Sequence, residues 1–122
     1  MTSTMRCIAA TALALAVWPV AASSTMCMFH APDGAPVPDL EFLGYGELGG
    51  ILIAGEDGPR SLASGTYALL ALDPQARRIR LVYTNPGDPT LPPSFRLEGE
   101  GPRAQLVVAG DTYEGEFACG QW

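Results

Sequence analysis

One short stretch of this chain, Met26-Cys27-Met28-Phe29-His30, sets two thioethers, a thiol and an imidazole within five residues. These are soft-metal ligands, and outside the reducing cytosol copper is the ion they suit. A stable site takes three or four converging donors, yet His30 is the sole histidine. A disulfide at Cys27 would also remove its thiolate. The sequence therefore predicts no metal site and no cofactor.

Nucleophilic catalysis needs a serine or cysteine beside a base. Beyond residue 22 the serines are Ser23, Ser24, Ser61, Ser64 and Ser94, and none sits in a Gly-x-Ser-x-Gly elbow. The chain has no lysine, so a Ser–Lys dyad is excluded. A Cys27–His30 dyad conflicts with the disulfide. Paired acids remain. Glu98 with Glu100, and Glu114 with Glu116, would each stand about 7 Å apart on one strand face at about 3.3 Å rise per residue. Glycoside hydrolysis uses two carboxylates at comparable distances. Alternating acids are also the ordinary solvated face of an antiparallel strand, and Arg78, Arg80 and Arg96 stand ready to pair with them. No Asp-x-Asp-x-Asp-Gly calcium loop occurs. No catalytic residue is nominated, and the chain reads as a non-enzyme; a hydrolase using the paired acids is a further alternative.

Residues 61–67 carry one more pattern. Ser64-Gly65-Thr66-Tyr67 resembles the Ser-Gly-x-x-Tyr signature of bacterial periplasmic inhibitors of c-type lysozyme, although it is one residue short. Those proteins are small, exported, cysteine-bridged β-barrels that insert a loop into a basic enzyme's cleft. The resemblance implies, as an alternative role, inhibition of a basic hydrolase. It covers four residues, and the chain is not assigned to that family on them. The competing reading makes Ser64-Gly65 a turn into a strand on which Tyr67 packs.

The elements that must position these groups begin after residue 22. Met1 to Arg6 is a short basic start, residues 7–20 are apolar and uncharged, and Val20-Ala21-Ala22 is followed by Ser23. That is the layout of a secretory signal peptide, with Ala22–Ser23 the favoured cleavage bond. A spanning helix needs about 20 apolar residues, and this run is shorter and contains Pro19. The expected organisation is a cleaved signal peptide at 1–22, a Pro/Gly-rich segment at 23–39 and a β domain at 40–122. The compartment is then periplasmic or extracellular and oxidising. Two cysteines remain, Cys27 and Cys119, with one intramolecular pairing open to them, and a disulfide between them is expected. Two free thiols or an intermolecular bridge are the competing states.

The whole chain carries a net charge of −6, which becomes −7 once Arg6 leaves with the leader. An acidic surface repels nucleic acid and anionic headgroups, so neither nucleic acid nor, after cleavage, membrane is an expected partner. A basic protein would be attracted, though the same charge also serves solubility.

From residue 40 the pattern is short strands and turns, read at 40–45, 50–54, 66–72, 78–83, 94–100, 104–109 and 112–119. Ile79, Leu81 and Tyr83 alternate with Arg78 and Arg80, and Phe95 and Leu97 with Arg96 and Glu98. About seven strands and no helix predict an all-β antiparallel sandwich or small barrel, mostly a meander. Two stretches read as loops, 55–65 and 84–93, the latter with four prolines. The expected role is a non-enzymatic binding or structural one in the periplasm or extracellular space; loops on a β scaffold carry recognition, so Ser64, Gly65, Tyr67, Asn85 and Asp88 are the candidate binding residues, toward a protein or small ligand.

Overall fold

The computed structural model describes residues 25–45, 47–55 and 57–120. The signal peptide expected at 1–22 lies outside them. The chain forms β1 (Thr25–His30), β2 (Leu40–Tyr45), β3 (Glu47–Ile53), β4 (Arg60–Ser61), β5 (Tyr67–Asp73), β6 (Arg78–Tyr83), β7 (Phe95–Gly99), β8 (Arg103–Val108) and β9 (Asp111–Cys119). The described residues contain no helix. All nine strands belong to one antiparallel sheet, in the order β4-β3-β2-β1-β9-β8-β7-β6-β5. The all-β expectation holds, and the architecture is a single curled sheet, a half-barrel.

Strand order explains the shape. Chain neighbours pair everywhere except between β4 and β5, and the first strand pairs with the last. The meander thus rolls up until β1 meets β9, leaving its opening between β4 and β5. Rolling turns one face of every strand inward. Ile79, Leu81 and Tyr83 of β6 are buried while Arg78 and Arg80 are exposed, as a period of two demands. Phe29, Leu40, Phe42, Ile51, Leu97, Leu106 and Phe117 fill the same interior. The Phe42 and Phe117 rings meet edge-on at 6.0 Å. Fully burying a side chain of this size is worth about 1.5–3 kcal/mol.

Two strands exceed the expected seven. β4 has two residues and no periodicity to read. β1 lies in what the sequence suggests is a Pro/Gly-rich lead-in, because Met, Cys and His give little strand signal. Its neighbours decide the matter: β2 and β9 flank it on both sides, and Cys27 and Phe29 are fully buried. His30 therefore ends a central strand and is not part of a loose tail. The β3 strand also runs through Gly49-Gly50, which reads as a break in the sequence.

One glycine shapes the rolled region. Gly115 on β9 faces inward, and the Phe29 ring of β1 lies over it, 2.7 Å from where a Cβ would stand. An aromatic from the next strand covers the missing side chain, and any side chain at this position would meet that ring and the His30 carbonyl.

Cys27 and Cys119 are direct partners across the β1–β9 ladder, and a disulfide joins them over 92 residues of sequence. The chain-entropy model assigns a loop of that length about 4–5 kcal/mol.

Candidate functional site at the open side of the sheet

An antiparallel meander sends alternate connections to opposite ends. The turns after β5 and β7 lie at one end, together with Cys119. The long connections 31–39, 54–59 and 84–94 lie at the other. Because β4 is so short, 62–66 returns to that same end, where the Thr84 N–H donates to the Thr66 carbonyl at 2.8 Å. Both stretches read as loops in the sequence therefore converge.

The 84–94 loop is organised by one side chain. The Asn85 amide nitrogen donates to the carbonyls of Asp88 (2.9 Å), Leu91 (3.4 Å) and Pro92 (2.8 Å). Its amide oxygen accepts from the N–H groups of Gly87 and Asp88, both at 2.7 Å. The Asn85 N–H donates to the Ser94 hydroxyl, closing the neck of the loop. Prolines deprive the loop of self-pairing N–H donors, and an asparagine with two donors and two lone pairs replaces what they cannot supply.

Asp88 continues the chain of bonds. Its carboxylate accepts from the Thr90 hydroxyl (2.7 Å) and N–H (2.9 Å). These bonds, helped by the nearby Arg60 charge, hold the Asp88 carboxyl below its ordinary pKa. From across the opening, Arg60 Nη1 on β4 donates to the Thr90 carbonyl (3.1 Å) and hydroxyl (3.4 Å). Beneath lies Tyr83, 1% exposed and stacked on Phe95 at 5.1 Å. Its hydroxyl has no hydrogen-bond partner among the described residues. Burial raises the Tyr83 pKa, the Asp88 charge adds to the rise, and Arg60 opposes it.

A cleft of about 270 Å³ opens beside this clasp. Pro36, Pro38 and Ile53 line it from the β1–β3 side, and Leu91, Pro92 and Pro93 from the loop side. Arg60 is the charged residue on its wall. The Pro36–Pro38 arm is fixed by Val37, which is fully buried, and by Asp39, whose carboxylate accepts from the Ala31 N–H (2.8 Å). Asp39 also sits 3.0 Å from His30 Nδ1.

The five candidate binding residues all fall at this end. Ser64 and Gly65 are exposed in the turn before β5, and Gly65 has the positive φ (+94°) that such a turn wants. Tyr67 packs half-buried on the core opposite Tyr83. Asn85 and Asp88 form the interior scaffold of their loop and do not stand out as free tips. Arg60 and Thr90 lie inside the two loops read as recognition elements but are not among the five named residues, and the Pro36–Pro38 arm is read only as part of the Pro/Gly-rich segment. The density of prolines at 31–39 and 84–93 was the available signal. That the two stretches face each other is a long-range fact.

The paired acids lie elsewhere, on the outer face of β6–β9. Glu98 lies 3.2 Å from Arg96 and 4.0 Å from Arg80, and Glu114 lies 3.3 Å from Arg103. Glu98 and Glu114 are thus held in exposed ion pairs, Arg96–Glu98 along β7 and the other two across strands, each worth about 0.2–1 kcal/mol. Among the described residues no group of three or more His, Cys, Asp and Glu side chains converges as a metal site would require.

Fold and site together define a small all-β domain, disulfide-joined on one side and bearing a proline-walled cleft on the other. No protein-family model matches the chain, and no curated protein or solved structure matches it.

Proposed function

We propose that this chain is an exported binding domain of the periplasm or extracellular space, acting by recognition and not by catalysis. The observation that carries the reading is the convergence of two separate loops, clasped by Arg60 and Thr90, around a rigid cleft. Preformed concave sites with few polar groups are the ordinary form of ligand sites. The Cys27–Cys119 bridge supports an oxidising compartment. The test is affinity capture from periplasmic extract with tagged protein beginning at Ser23. Specific capture that is lost in an Asn85→Ala, Arg60→Gln variant supports the reading. Capture unaffected by those substitutions, or none at all, removes it.

A second reading is inhibition of a basic hydrolase. It is favoured by the exposure of Ser64 and Gly65 at the same end and by the net charge of −6. Stoichiometric inhibition of a c-type lysozyme supports it, and full lysozyme activity in excess protein ends it.

A further inference from the structure

The cleft has a ligand chemistry of its own, and the argument for it rests on the binding role above. Four of its lining residues, Pro36, Pro38, Pro92 and Pro93, have no N–H to offer. Three further backbone donors on its wall are already engaged: Ala54 with the Asp39 carbonyl, Leu91 with the Asp88 carbonyl, and Thr90 with the Asp88 carboxylate. The Thr90 hydroxyl proton also goes to Asp88. The charged donor left is Arg60. Thr90 holds its Nη1, and the Nε and Nη2 hydrogens lie outside those two bonds. The occupant must therefore be apolar over most of its surface and carry one acceptor group. A carboxylate matches best, since a guanidinium edge binds it with two parallel hydrogen bonds.

The walls select the apolar part. Proline rings are stiff, and both arms are anchored, one by Val37 and Asp39 and the other by Asn85. A rigid slot favours a rigid occupant, because a flexible alkyl chain loses rotamer freedom on entry. The volume of about 270 Å³ falls just below the range of drug-sized sites, which suits a single ring. We propose that this cleft binds a small aromatic carboxylate, its ring between the proline arms and its carboxylate on Arg60 Nε and Nη2.

The test is an amide-resolved NMR titration of the disulfide-bonded protein with 3-phenylpropanoate, 3-phenylpropanamide and hexanoate. Saturable shifts are expected at Ile53, Gly55, Arg60, Thr90 and Leu91. The aromatic acid should bind at least about tenfold tighter than its amide or than hexanoate, a difference of about 1.4 kcal/mol. Arg60→Gln should erase the preference for acid over amide while leaving the other amide positions unchanged. The proposal is overturned by any of four results: no saturable shift up to about 10 mM ligand, shifts on the outer face around Arg78 and Arg103 instead, equal binding of acid and amide, or an undiminished preference in Arg60→Gln. Those failures would leave partner capture by the loops standing, so the two readings can fall separately.

Discussion

The curled sheet has two contrasting sides, and they are built from different materials. On one, β1 and β9 share a hydrogen-bonded ladder, an aromatic laid over a glycine and a covalent sulfur link. On the other, β4 and β5 share no ladder, and the gap is spanned by Arg60 reaching Thr90. The free edge of β5 is blunted by a register shift between Leu69 and Ala71 that leaves Leu70 60% exposed. Such irregularity discourages pairing with another chain. The contrast teaches that stability and recognition are placed apart here. The joined side holds the curled shape, so the open side can keep a cleft between its loops.

The sharpest challenge to that division is the disulfide. Replacing Cys27 and Cys119 together with alanine should cost about 4–5 kcal/mol in urea unfolding. A loss below about 1 kcal/mol would mean that the ladder alone holds the joined side. Phe29→Ala, at the same side, should cost about 3–5 kcal/mol and sharpen the comparison by removing packing without touching the sulfur link. At the open side, Asn85→Ala should cost about 1–3 kcal/mol, because several loop carbonyls and N–H groups lose their partner together. Hydrogen exchange should show the damage at Gly87, Asp88 and Leu91 while β1 and β9 stay protected. Arg60→Gln should change global stability by less than about 1 kcal/mol, being an exposed contact. An effect as large as that of the disulfide would erase the distinction between the two sides.

The smallest expected effect is a pH dependence confined to the loop. Asp88 has a folded-state pKa below its unfolded value. Its contribution is therefore present above the unfolded value and is lost as pH falls through the folded one. The Thr90 amide resonance should move in that acidic window, and in Asp88→Asn the movement should vanish. Movement that persists in Asp88→Asn would assign the titration to another group.

Legibility differed between the same two regions. β6 was readable because Arg78 to Tyr83 alternates cleanly and the strand is covered on one face only. The β7, β8 and β9 strands followed for the same reason. β1 was not, because a bulge between Thr25 and Cys27 breaks the period of two: Met26 and Cys27 are both buried around it. Within the candidate site, Asn85 and Asp88 announced themselves as turn formers. Their inward role was hidden, since the carbonyls Asn85 binds are arranged only once the loop has closed. Arg60, the first residue of the two-residue β4, fell inside the loop read at 55–65, and nothing local singled it out.

Period-two alternation, turn residues and a single available cysteine pairing are local or combinatorial properties. From them follow the all-β class, most strand positions and the Cys27–Cys119 link. Where the sheet opens, that β1 sits at its centre, and that Arg60 meets Thr90 thirty residues away depend on how far the rolled sheet closes. Such contacts, like the edge-on meeting of the Phe42 and Phe117 rings, join residues far apart in the chain and exist only when it is folded.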